Sequence, residues 1–240
     1  MGSSFKRPLV HDEAFITSLV RYGEADCIVR LFLREQGKLV AFFKGGLATK
    51  KNRVAIQAPA LARIAYLQPG EEKMARLCSC DLDPKSFLWA SSLRLFAYGN
   101  YLAELLEKLL PEEEPAPTIF NLLEEALQAF LERGANPFIL RAFELKILEN
   151  LGYLPEIPAL DSAEIFYDPI ACHFGKEEKA HSFKLSSKAV FYAQTMLNSP
   201  LNKIENVDSP ILVEIGRIFF SRLSLMGMLP LKSTAFFKEL

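Results

Sequence analysis

The chain has 240 residues, half of them hydrophobic, and its 28 basic and 29 acidic side chains leave a formal net charge of −1. That length and apolar content suffice for one or two domains with a sizeable core. The near-neutral balance excludes a protein held on nucleic acid or an anionic surface by its overall field, so any site for a polyanion must be a local patch.

The first residues, Met-Gly-Ser-Ser-Phe-Lys, lack the apolar stretch of a secretory signal, and no uninterrupted apolar run approaches the roughly 20 residues of a membrane helix. Cys27, Cys78, Cys80 and Cys172 read as reduced thiols, so the expected setting is the cytoplasm.

Residues 13–80 predict five short strands, at 13–20, 26–33, 38–43, 59–67 and 73–79. Tyr22-Gly23, Gln36-Gly37 and Gln68-Pro69-Gly70 supply turn residues between them. Five strands without an intervening long helix match a small barrel of OB type, and an SH3-like barrel gives nearly the same pattern. Between the third and fourth strands runs Lys44-Gly45-Gly46-Leu47-Ala48-Thr49-Lys50-Lys51-Asn52-Arg53, with four cations and no acid. Lys44, Lys50, Lys51 and Arg53 suit phosphate neutralisation on a mobile glycine loop, and the same composition also suits a solvated turn. Tyr22, Phe42 and Phe43 fit either base stacking or the barrel core.

Beyond Pro84 the apolar period changes from two to about 3.6. Residues 86–110 predict an amphipathic helix, ended by the acidic, proline-broken 111–117, and a second helix follows over 118–132. For the third, Asn136 offers a cap, Pro137 a first turn and Gly152 a stop. Residues 153–183, carrying Pro155, Pro158, Pro169 and Gly175, predict a long loop or small hairpin, and two last helices are expected at 187–197 and 210–226. The expected class is α+β. An OB-type barrel for DNA occupies 1–82, and an α-helical domain with an irregular insert near 153–183 occupies 83–240.

Motifs for chemistry are sparse. Cys172, His173 and His181 lie near Asp161, Glu164 and Asp168, but structural zinc wants two closely spaced ligand pairs and only one Cys-His neighbour pair is present. Cys78-Ser79-Cys80 has no second pair. No Walker loop, His-Glu-x-x-His or Gly-x-Ser-x-Gly occurs, so neither a metal, a cofactor nor a reaction is indicated. Arg141, within Phe138-Ile139-Leu140-Arg141-Ala142-Phe143-Glu144-Leu145, suits bidentate capture of a carboxylate beside an apolar groove, or an intrahelical pair with Glu144.

Several segments, in order, resemble the bacterial RecO recombination mediators: Arg21-Tyr22-Gly23-Glu24-Ala25-Asp26, the Gly37 turn, Lys44-Gly45, Ile56-Gln57-Ala58-Pro59, residues 98–110, Arg141-Ala142-Phe143-Glu144-Leu145 with Leu151-Gly152-Tyr153, and Pro230-Leu231-Lys232-Ser233. The resemblance implies an OB barrel followed by a helical domain. It also implies a non-catalytic protein that binds single- and double-stranded DNA, anneals complementary strands and, with RecR, helps load RecA onto DNA covered by single-strand-binding protein. It places DNA on the barrel and at Lys44, Lys50, Lys51 and Arg53. It assigns Arg141 to the acidic, Phe-ending tail of single-strand-binding protein. Two departures stand out. Many members hold zinc with two Cys-x-x-Cys pairs after the Leu-Gly-Tyr segment, where only Cys172 remains here, and Leu47-Ala48-Thr49 makes the basic loop lighter than usual, which leaves a protein-interaction adaptor with weak or lost DNA binding as the alternative reading.

Overall fold

The computed structural model describes residues 7–48, 56–69, 74–158 and 164–238. Apolar residues alternate with polar ones over short runs bounded by glycine turns, and each run buries one face as a strand. The strands are β1 (Leu9–Tyr22), β2 (Asp26–Leu33), β3 (Gly37–Phe43), β4 (Ala60–Leu67) and β5 (Ala75–Leu82). They close into a barrel in the order β1-β2-β3-β5-β4, with β3 and β5 parallel and the other pairs antiparallel. The five-stranded Greek-key barrel is of OB type.

Closure depends on β1, which is longer than the predicted 13–20 because its polar ends pair as well as its apolar middle. Residues 9–16 pair with β4 and residues 14–22 with β2, with a bulge between Ile16 and Ser18. The bulge bends one continuous strand so that it serves both edges of the sheet, leaving no open edge. Ala14, Ile16, Val29, Leu31, Leu33, Ile64 and Leu77 fill the interior. The β2–β3 turn needs Gly37, whose φ is +72° and where a Cβ would run into the Glu114 backbone.

The predicted helix over 86–110 is two elements. A 3₁₀ helix, Pro84–Ser91, gives way to extended backbone at Ser92, whose side chain then caps α1 (Leu93–Leu109) by accepting from the Leu95 N–H. Ser86 hydrogen-bonds both the N–H and the C=O of Leu61, tying the 3₁₀ turn to β4. Glu107 of α1 receives the Thr17 hydroxyl at the β1 bulge and pairs with Arg30 at 3.5 Å. The buried Lys38 donates to the Glu107 carbonyl at 2.9 Å and pairs with Glu112 at 3.1 Å. The closing 3₁₀ segment, Lys232–Lys238, is held by Glu104, which accepts from the Lys232 N–H, the Ser233 N–H and the Ser233 hydroxyl at 2.9, 2.8 and 2.6 Å. Met1–Phe120 with Lys232–Leu240 thus form one compact unit, and Asn121–Leu231 form a second.

The second unit contains most of α2 (Pro117–Arg133), then α3 (Pro137–Asn150), α4 (Ser187–Asn198) and α5 (Ser209–Leu225). Asn136 caps α3 through the Phe138 N–H, with Pro137 in the first turn, as its sequence predicts. Within the irregular 153–183 region and just past it, the chain forms a small antiparallel sheet in the order β7-β6-β8, from β6 (Ile165–Asp168), β7 (His173–Gly175) and β8 (Phe183–Leu185). Among the described residues, no helix is long and apolar enough to cross a membrane.

Candidate nucleic-acid interface

The barrel's outer face carries a row of side chains set by register. Val20 of β1 opposes Ile28 of β2, Ile28 opposes Phe42 of β3, and Phe42 opposes Arg76 of β5. Each of the last three lies between buried neighbours: Cys27 and Val29, Ala41 and Phe43, Ala75 and Leu77. Strand alternation therefore turns the row outward. At about 4.8 Å per strand, four residues span roughly 14 Å. Tyr22, at the end of β1, stands edge-on to the Phe42 ring with centroids 5.8 Å apart and planes at 87°. Tyr22, Ile28, Phe42, Met74, Ala75 and Arg76 line a groove of about 390 Å³.

Exposure separates the three aromatic candidates. Tyr22 is 60% exposed and Phe42 half-buried on the outer face, whereas Phe43 is core at 4%. Two adjacent residues of a strand cannot both face inward, so the Phe42-Phe43 pair already contained this division. Ile28, Met74 and Arg76 were not among the sequence candidates. The signal for Arg76 was local, a cation between the apolar Ala75 and Leu77 on a strand.

Cations border the groove. Lys44 is exposed just beyond β3, where the chain turns because the Gly45 N–H donates to Asp26 Oδ1 at 2.7 Å and the Leu47 N–H to the Ala25 carbonyl at 2.9 Å. Arg21 is exposed and donates to the Glu24 carbonyl at 3.2 Å, but it opposes the buried Cys27, so alternation turns it to the side of β1 away from Tyr22. Arg76 is exposed and has no ion-pair partner among the described residues. Lys50, Lys51 and Arg53 lie outside the described residues.

Two barrel thiols have their acidities shifted the same way. Burial, aided by Asp26, pushes the Cys27 thiol up to about 11. Burial, with Asp81 and Cys27, pushes Cys80 up to about 12. Both stay protonated at neutral pH, which makes them poor nucleophiles and poor metal ligands. Cys172 lies in the small sheet region with its Sγ 3.5 Å from the Tyr153 carbonyl, and His173 and His181 are exposed. Among the described residues no three His, Cys, Asp or Glu side chains gather as a metal would need. Cys172 is the one cysteine that follows Leu151-Gly152-Tyr153, so the sequence does not hold a zinc set of two Cys pairs there.

In the second unit, Arg141 of α3 pairs with Glu144 one turn on. Glu144 is 1% exposed, the Arg141 side chain 17%. The guanidinium lies 5.5 Å from the Phe220 ring centre and passes over Gly216, where a Cβ would come within 3.0–3.1 Å of it. The intrahelical alternative for Arg141 is thus occupied. A separate open cleft of about 500 Å³ in the same unit has Lys188, Phe191, Tyr192, Val207 and Ile211 in its walls, with Phe191 half exposed.

Comparison with known proteins agrees with both halves of the architecture. The family model Recombination protein O N terminal matches residues 7–82, and Recombination protein O C terminal matches residues 90–235. A DNA repair protein RecO from Myxococcus xanthus is 33% identical over 144 residues, covering 60% of this chain and 59% of the relative. One from Exiguobacterium sibiricum is 26% identical over 206 residues, covering 82% of each. One from Pelotomaculum thermopropionicum is 29% identical over 216 residues, covering 85% of this chain and 80% of the relative. With an OB-type barrel matched by one family model and most of the remaining chain by the other, this chain belongs to the RecO family of DNA repair and recombination proteins.

Proposed function

We propose that the chain is a non-catalytic recombination mediator of the cytoplasm that binds single- and double-stranded DNA on its barrel and anneals complementary strands. With RecR it helps load RecA onto DNA coated by single-strand-binding protein. The observation that carries this reading is the open outer face of a closed OB barrel with Lys44 and Arg76 exposed around it, because that face of an OB barrel and its bordering loops suit oligonucleotides. Residues 1–82 take the DNA in this proposal, and 83–240 hold protein partners. Lys44, Lys50, Lys51 and Arg53 supply phosphate contacts that are independent of sequence.

Salt dependence tests it. Affinity for single-stranded DNA should fall steeply with salt and little with base sequence. Replacing Lys50, Lys51 and Arg53 by Ala should flatten the slope of log K against log salt by about two, at roughly 0.7 per phosphate contact on single strands. An unchanged slope would place the phosphate contacts elsewhere.

The tail of single-strand-binding protein, acidic and ending in Phe, requires a cation beside an aromatic surface. Arg141 carries the cation for which the family resemblance argues, but its guanidinium already serves Glu144. Lys188 beside the exposed Phe191 offers the same chemistry on an open cleft. Titrating a tail peptide against Arg141→Leu and Lys188→Ala distinguishes the two positions.

A further inference from the structure

We infer that the row of Val20, Ile28, Phe42 and Arg76, with Tyr22 standing beside it, is a subsite for an unpaired base, so that this face distinguishes an open strand from a duplex. The inference rests on the DNA-binding reading above and assigns to the barrel a contact that its phosphate-binding cations cannot supply. Three apolar side chains and an aromatic ring lie together on the solvent side of adjacent strands, and Val20 and Tyr22 are each 60% exposed. Water is a poor partner for such a surface, and a flat aromatic ligand is a good one.

The geometry favours a base over an apolar side chain. Tyr22 and Phe42 meet as a T with planes at 87°, so one ring braces the other, and the 60% exposed Tyr22 is left with flat surface for a planar ring to lie against. Arg76 is the register partner of Phe42 and therefore projects beside any ring seated there, placed to meet the phosphate that follows the base. Asp26, the register partner of Tyr22, has one carboxylate oxygen taken by the Gly45 N–H, which reduces its repulsion of a phosphate. A duplex keeps its base faces inside the stack and shows a protein only edges and backbone, so it satisfies the cations but not the rings.

Fluorescence anisotropy with three ligands of equal length tests this: a single strand, the same strand with abasic sites in place of bases, and the duplex. Wild type should bind the base-bearing strand at least about fivefold more tightly than the abasic one, the lower end of what one aromatic stacking contact is worth. Tyr22→Ala should erase most of that preference and leave duplex affinity within about twofold. Tyr22 is mostly exposed, so its removal leaves the core intact. Phe42→Leu, which keeps apolar bulk and removes the ring, should move the preference in the same direction, with thermal denaturation confirming its fold. Equal wild-type affinity for base-bearing and abasic strands overturns the inference while leaving the mediator reading standing. So does a Tyr22→Ala protein that binds the base-bearing strand like wild type, which would assign the patch to a protein partner, or one that loses single-strand and duplex affinity equally. Failure of the wild type to bind any of the three ligands overturns the DNA reading itself.

Discussion

Replacing Arg141 by Leu removes the cation facing a carboxylate that is only 1% exposed, so its cost follows from the structure. Removing one partner of a fully buried pair costs about 3–5 kcal/mol, because the other charge stays in a poor solvent. Arg141 is 17% exposed, which admits solvent to its side of the pair and brings the figure to about 2–4 kcal/mol. Loss of the contact over Phe220 and of the guanidinium packed on Gly216 keeps the value from falling lower. At about 2–4 °C per kcal/mol for a chain of this size, Tm should drop by about 5–15 °C. Urea and thermal denaturation of Arg141→Leu, Glu144→Leu and the double variant read the pair directly. The double variant should be less destabilised than the sum of the single variants by about 1 kcal/mol or more, since each single variant already forfeits the shared pair. Arg141→Leu within about 0.5 kcal/mol of wild type, with additive losses in the double variant, would refute the reasoning and free Arg141 for a binding role.

Gly37→Ala should be less stable than Gly23→Ala by about 1–3 kcal/mol. Both glycines have φ near +70°, but only at Gly37 does a Cβ meet backbone, and equal losses in chemical denaturation would contradict this. Glu104 carries a pH dependence. Burial pushes its carboxyl up, but the Ser233 hydroxyl, the Ser233 and Lys232 N–H groups and Lys108 outweigh it and hold the carboxyl below its ordinary value of 4.5. A carboxylate depressed in the folded state stabilises above its unfolded pKa, and that stability is lost as pH falls through the folded value. Below about pH 4.5, wild type should therefore lose more stability than Glu104→Gln, and parallel stability curves for the two would exclude Glu104 as the cause.

The sequence carried the barrel because its signals are local. Glycines at 23 and 37 have positive φ, and the runs between them alternate, so β2 is found at its predicted 26–33. The Asn136-Pro137 start of α3 was legible for the same reason, as was α2, whose predicted 118–132 differs by one residue at each end. The β6–β7 hairpin falls within the loop or small hairpin expected over 153–183, but its exact strands and the third strand, β8, were not legible, because strands of three or four residues have too few positions to show a period. The break at Ser92 was hidden too, since the apolar stripe continues across it and only the cap to Leu95 interrupts the helix.

The candidate interface divides along the same line. The basic run from Lys44 to Arg53, and the aromatic residues near it, are properties of the chain itself, as is the order of segments shared with the RecO family. Which aromatic faces outward, and which cation stands beside it, was decided by β3 pairing directly with β5 in parallel although β4 lies between them in the sequence, a contact between residues more than thirty positions apart. Likewise, Arg141 and Glu144 are one helical turn apart in any sequence reading, but only the packing of Gly216 and Phe220 of α5 against them makes the pair a buried one. Local spacing determines which side chains share a strand face or a helix face. Burial and neighbours across elements depend on register and packing, which belong to the folded chain as a whole.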